Sequence, residues 1–205
     1  MDLEVLAEQL EKTGMCVAPD FMPASLCQKL REDMVAIRAA GGFGRAGTGK
    51  GEGLAVRDQV RRDEIHWLER SVANPVQGRL WESLDSLKQA FNRGLFLGLR
   101  NFEGHYASYP AGGFYKRHLD CFEKDDARMV SLVLYLNQGW QAGDGGELRI
   151  YPGGGQAMDV QPREGTLVCF LSRDMEHEVL ATRSPRFSFT GWFKSEHKPG
   201  SLLAR

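Results

Sequence analysis

The segment FYKRHLD places His118 and Asp120 two residues apart, and on an extended strand such a pair projects to one face. An imidazole and a carboxylate so placed are two thirds of a metal site. A second, distant imidazole completes the 2-His-1-carboxylate set that holds non-haem Fe(II) and leaves positions open for substrate and oxygen. His177, which opens HEVL shortly after the apolar run TLVCFL, is the candidate for that third ligand. Five histidines and 27 acids in 205 residues would by chance place close to one such pair, so the string alone decides little. Context adds weight. Arg186 lies nine residues beyond His177 and opens RFSFTGWF, where Arg186, Ser188, Thr190 and Trp192 share one strand face and Phe187, Phe189, Gly191 and Phe193 the other. An arginine and hydroxyls turned into a barrel are costly unless an anion meets them. A dicarboxylate co-substrate would supply it, its far carboxylate gripped by the guanidinium in a two-point fork. Tyr135 in LVLYLN and Tyr109 in ASYPAGG could add hydroxyl donors. A structural ion pair would satisfy Arg186 equally well.

Such residues need a rigid carrier. From about Arg100 the pattern is one of short, period-two segments (FEGHYASY, FYKRH, MVSLVLYLN, GELRIY, TLVCFL, RFSFTGWF), punctuated by QAGDGG, PGGG and QPREG. The first ninety-odd residues read as helical. Leu3, Leu6 and Leu10 are followed by Gly14 as a stop, and Leu26, Leu30, Met34 and Ile37 end at Gly41-Gly42. Asn74-Pro75 then opens a stripe of Val76, Leu80, Leu84, Leu87 and Phe91. The expected fold class is mainly β with N-terminal helices (α+β), a jelly roll or small barrel backed by helices. One domain over 1–205 is expected: helical support in 1–99, β core in 100–194 and a loose polar tail in 195–205. Between the second and third helices, GGFGRAGTGKGEG carries seven glycines in thirteen residues. It lacks the G-K-[ST] ending of a phosphate loop and reads either as a surface loop or as a mobile lid over a substrate.

Bulk properties narrow the class. A net charge of -1 gives no global pull toward nucleic acid or membrane. The Arg57–Arg62 cluster lacks the aromatic platform that single strands stack on. The longest apolar runs, such as MVSLVLYL, are far short of the ~20 residues a membrane helix needs, and no signal-like start precedes them, so a cytoplasmic protein is expected. The four cysteines, Cys16, Cys27, Cys121 and Cys169, form no C-x-x-C pair and read as free thiols. His66 and His105 read as satisfied packing residues and His197 as solvated.

YPAGGFYKRHLD, LYLN, GGELRIYP, MEHEVL and SPRFSFTGWF, in that order, resemble the prolyl hydroxylases of the 2-oxoglutarate oxygenase superfamily, above all those acting on hypoxia-inducible factor and their bacterial relatives. The likeness runs through residues 100–194 and extends more weakly to VRRDEIHW, which resembles the family's substrate-covering finger loop. It implies a double-stranded β-helix core with His118, Asp120 and His177 as Fe(II) ligands and as the catalytic centre. It further implies that Arg186 and Tyr135, helped by Thr190, take the distal carboxylate of 2-oxoglutarate, with Tyr109 beside the iron-chelating end. Arg128 and Trp192 would lie near the target proline, and Arg61 and Asp63 in the finger loop near the substrate. The implied reaction consumes O2, releases succinate and CO2 and hydroxylates a prolyl residue of a protein; ascorbate is an expected reductant and elongation factor Tu a candidate substrate. The same chemistry on a free amino acid or small metabolite, or a non-enzymatic cupin-like metal or ligand binder, are the alternatives. The glycine-rich loop departs from the family pattern, so substrate identity transfers less well than cofactor chemistry.

Overall fold

Helix α1 (Leu3–Thr13) starts where Asp2 accepts from the Glu4 N–H and stops where Gly14 takes a φ of 75°. Its Leu6, Ala7 and Leu10 are buried. Helix α2 (Ala24–Ala39) follows Pro23 and buries Leu26, Cys27, Leu30 and Met34. Helix α3 (Pro75–Leu95) begins as its sequence foretells: Asn74 accepts from the Val76 and Gln77 N–H groups, and Pro75 occupies the position where no donor is needed. The computed structural model describes residues 2–48, 55–121, 127–153 and 155–195. Among these no helix is long and apolar enough to cross a membrane, and none of the four cysteines is in a disulfide.

The strands are β1 (Met15–Ala18), β2 (Gly44–Arg45), β3 (Glu64–Leu68), β4 (Leu99–Tyr109), β5 (Tyr115–His118), β6 (Arg128–Tyr135), β7 (Leu148–Tyr151), β8 (Met158–Val160), β9 (Leu167–Leu171), β10 (Glu176–Val179) and β11 (Arg186–Ser195). They form two antiparallel sheets, a major one ordered β1-β9-β6-β11-β4-β3-β2 and a minor one ordered β5-β10-β7-β8. The architecture is the expected jelly roll. Strand alternation divides two cores. Leu132, Leu134, Phe189 and Phe193 face the helices and pack with Leu10, Leu30, Leu84 and Phe91. Val133 and Tyr135 face the other way, toward Leu148, Ile150, Phe170 and Val179 between the sheets.

Three strands lie in the region read as helical. β1 and β2 span four and two residues, too short for a period to register, and they exist because β9 and β3 offer edges to pair with. β3, within VRRDEIHW, pairs with β4 from Glu64↔Ser108 to Leu68↔Gly104; β8 likewise escaped the pattern. The glycine-rich segment is not wholly loop, since Gly44–Arg45 pairs with Ile65 and Glu64, whereas its last residues, 49–53, like His197 and the tail beyond Ser195, lie outside the described residues.

Gly191 and Gly104 face each other across β11 and β4. A Cβ at Gly191 would stand 2.6 Å from the Glu103 carbonyl oxygen and 2.3 Å from the Phe102 ring. The glycine is what lets Phe102 lie across the sheet. Gly191→Ala should therefore destabilise the protein by about 1–3 kcal/mol through overpacking, seen as a lower urea midpoint; an unchanged midpoint would show that the ring moves aside freely.

Candidate active site

Strands β5 and β10 pair antiparallel with His118 directly opposite His177. β5 ends at His118, and Asp120 sits in the bend just beyond it rather than on the strand. The two-residue spacing thus yields the expected convergence by a different local geometry, since the chain turns before Asp120. One ligand atom each from His118, Asp120 and His177 lies within 4.8 Å of the others. His118 Nε2 is 3.6 Å from Asp120 Oδ1, and His177 Nε2 is 3.5 Å from Asp120 Oδ2. Each imidazole turns its Nδ1 to a backbone carbonyl, His118 to Lys116 at 2.7 Å and His177 to Met175 at 3.0 Å. Donation there fixes the tautomer and leaves both Nε2 lone pairs directed at one point. Ser131 donates to Asp120 Oδ2 at 2.8 Å and is itself 2.8 Å from Ser172. Burial opposes ionisation of Asp120, but His177 and His118 outweigh it and hold the carboxyl well below the usual range. Burial also pushes His177 down to about 4, against the pull of Asp120. A neutral His177 beside an ionised Asp120 is the protonation pattern a divalent metal requires.

The triad lines a cavity of about 820 Å³ that also receives Tyr109, Arg128, Arg186, Thr190 and Trp192. Arg186 is 1% exposed. Its Nε donates to the Gly146 carbonyl at 2.9 Å, and one terminal nitrogen reaches Ser188 at 3.5 Å. The rings of Tyr109 and Tyr135 flank the guanidinium at 5.0 and 5.1 Å. Among the described residues no carboxylate pairs with Arg186, so the structural ion pair that would have explained it is not there. The buried Tyr135 hydroxyl meets no hydrogen-bond geometry with any described residue, and burial, partly offset by the nearby Arg186, pushes its pKa up to about 12. A buried cation with spare donors beside a neutral phenol is a cradle for a carboxylate. The residues fit both Fe(II) and 2-oxoglutarate.

Comparison with known proteins agrees. Residues 104–194 match the family model of the 2OG-Fe(II) oxygenase superfamily. A prolyl-4-hydroxylase from Pseudomonas putida superposes with a TM-score of 0.87 at 40% identity, over 96% of this chain and 100% of that one. The chain belongs to the 2OG-Fe(II) oxygenase superfamily. A Trichoplax adhaerens prolyl hydroxylase, solved in complex with a hypoxia-inducible-factor oxygen degradation domain peptide fragment, superposes with a TM-score of 0.84 at 27% identity, over 95% and 89% of the two chains. Human Egl nine homolog 1 is 32% identical over 93% of this chain. The chain spans about half the length of that relative, 46% of it.

The remaining expected residues of this superfamily member are also brought together, with differences. Arg128 lies 3.6 Å over the Trp192 ring and pairs with Glu103, which Lys194 also reaches. Arg61 lines the cavity, but Asp63 lies behind it with a fully buried carboxylate, gripped in a two-point fork of 2.7 and 2.5 Å. His66 bonds the Gly42 carbonyl through Nδ1 at 2.7 Å and lines the cavity as well. His105 is not the satisfied packing residue its surroundings suggested: its buried Nδ1 has no partner among the described residues, and the ring lies in the cavity wall in a cluster with Trp67 and Trp192, at 4.8 and 5.5 Å. Ser131 and Tyr115, which stacks on His118, were not foreseen. Ser131 shares the inward face of β6 with Tyr135, a signal that was legible.

Burial, followed by Arg61 and Arg128, pushes His105 down to about 3. An unfolded imidazole titrates near 6.5, so the unfolded chain holds a proton that the folded one refuses as pH falls from there toward 3. Stability contributed by the neutral ring is present above that window and lost within it, at up to about 1.4 kcal/mol per pH unit. His105→Phe should show a shallower loss of urea stability between pH 6.5 and 4 than the parent; parallel curves would mean the ring is not held neutral.

Proposed function

We propose that this oxygenase hydroxylates a prolyl residue of a protein, consuming 2-oxoglutarate and O2 and releasing succinate and CO2. The observation that carries the cofactor chemistry is Arg186, buried and without a described carboxylate partner in the cavity that holds the triad. A purely structural metal site, or a cupin-like ligand binder built on the triad alone, gives no reason to bury that charge. The prolyl substrate is supported by the likeness to the P. putida prolyl-4-hydroxylase along the whole of that chain. A protein rather than a free amino acid is supported by the breadth of the cavity, which runs from Arg186 to Arg45, Gly47 and Thr48 in the glycine-rich segment. Elongation factor Tu enters only as one candidate among bacterial proteins.

His118, Asp120 and His177 would hold Fe(II), which with 2-oxoglutarate and O2 supplies the oxidising power of the reaction. The protein's part is binding, orientation and exclusion of water. Lys116 and Met175 carbonyls and the Ser131 hydroxyl keep the three ligands aimed. Arg186, Tyr135 and Thr190 would fix the far carboxylate of 2-oxoglutarate, and Tyr109 its near end. Arg128 and Trp192 would flank the target proline, with Arg61 beside them and Asp63 steadying Arg61. Ascorbate would serve to keep the metal reduced.

His118→Ala or Asp120→Ala should abolish 2-oxoglutarate-dependent succinate production and Fe(II) retention while the fold survives; activity kept in either variant would remove that residue from the metal site. Arg186→Ala should weaken 2-oxoglutarate binding by on the order of 2–5 kcal/mol, and an unchanged affinity would show the co-substrate lies elsewhere. The substrate is read by mass spectrometry of proteins captured on the enzyme loaded with a redox-inert metal, then exposed to Fe(II), 2-oxoglutarate and O2. A +oxygen proline is the expected product, and oxidation of a free amino acid alone would displace the protein reading.

A further inference from the structure

The imidazole of His118 is covered on one side by Tyr115. The two rings are 3.6 Å apart at 17°, a close parallel stack. On an undisturbed strand residues three apart face opposite ways. Here β5 carries one extra residue: His118 opposes His177 and Tyr115 opposes Val179, three residues matched against two. This bulge brings Tyr115 and His118 to one face. The stack continues outward. The Arg61 guanidinium lies 4.1 Å over the other face of Tyr115, locked by its two-point contact with Asp63. Arg61 also reaches the Gly47 carbonyl at 3.4 Å, at the stem of the glycine-rich segment. Backbone bonds pin the same corner: Arg61 bridges Tyr115, Arg62 donates to the Phe114 carbonyl and Lys116 to the Val60 carbonyl. Inward, His118 meets His177 at 4.3 Å, and His177 rests on Phe170 at 4.6 Å.

We infer that Tyr115 is a positioning residue for the metal ligand His118, holding its ring by stacking, and that Arg61 clamps Tyr115 and so ties this ligand to the stem of the glycine-rich segment. The inference rests on His118 being a ligand, as the proposed function has it. The bond from Nδ1 to the Lys116 carbonyl fixes one edge of the imidazole but leaves it free to rock about that bond; the parallel phenol removes that freedom. His177, buried and backed by Phe170, does not need such help. The phenol acts through its face, so its hydroxyl is dispensable.

The test follows Fe(II) binding anaerobically in the presence of 2-oxoglutarate, by the visible charge-transfer absorption that chelation produces. Tyr115→Leu keeps apolar bulk but removes the stack, and Tyr115→Phe keeps the stack. Tyr115→Leu should bind Fe(II) about 10-fold or more weakly, the range for lost support of a metal ligand, with a displaced absorption band and an unchanged urea midpoint of the metal-free protein. Tyr115→Phe should match the parent in both affinity and band. Arg61→Gln should fall between them. Parent-like behaviour of Tyr115→Leu would overturn the inference while leaving the metal site standing, as would a Tyr115→Phe as damaged as Tyr115→Leu. A parent-like Arg61→Gln would overturn the clamp. A parent protein with no band would overturn the metal site and this inference together.

Discussion

The pairing of β5 with β10, which sets His118 opposite His177, is the constraint on which the rest depends. Because side chains alternate along a strand, a slip of one residue would turn one imidazole away from the other. The minor sheet is short, four strands of at most four residues each, so it has few ladder bonds to hold that register by itself. The register is set from outside. Tyr115 bridges Arg61 and the Gly113 carbonyl accepts from Thr182, while within the sheet β7 fixes β10 from Glu176↔Tyr151 to Val179↔Leu148.

Charge is the second theme. The cavity sets the Asp120 carboxylate and the imidazoles of His118 and His177 in one space with the buried guanidinium of Arg186, which no carboxylate among the described residues neutralises. Burying an unpaired cation is among the most expensive things a fold can do, and this fold bears it at Arg186 while wrapping the side chain in two phenol rings and a carbonyl. The neighbouring groups stay neutral: Tyr135 is pushed up and His105 and His177 down by burial. Asp120 instead is held ionised, because the imidazoles beside it overcome its desolvation. The arrangement is set up for a dication at one end and an anion at the other.

The helices serve this at a distance. They cover the outer face of the major sheet, so that β6 and β11 are apolar toward Leu84 and Phe91 and functional toward the cavity. Phe189 and Phe193 on one face of β11 are thus as necessary to Arg186 and Trp192 on the other as any direct contact. Gly104 and Gly191 allow the aromatic layer of Phe102 and Phe189 to close over the sheet there.

What the sequence by itself determined is what local periodicity and spacing encode. Asn74-Pro75 and Gly14 marked helix ends because capping is a local interaction. The alternation in RFSFTGWF sorted Arg186 from Phe187 because a strand's faces alternate whatever it pairs with. Family-like spacing brought His118, Asp120, His177 and Arg186 forward together. The tertiary structure alone decided the rest. β1, β2 and β8 are too short to carry a period and form only because a neighbouring edge receives them. Asp120 reaches the site from a bend, not a strand. His105 became a cavity residue with an orphaned nitrogen because the neighbouring strands β3 and β11 bring Trp67 and Trp192 together against its ring. Tyr115 came to lie on His118 only through a bulge, which breaks the period that sequence reading assumes, since an extra residue is a property of the pairing and not of either strand alone.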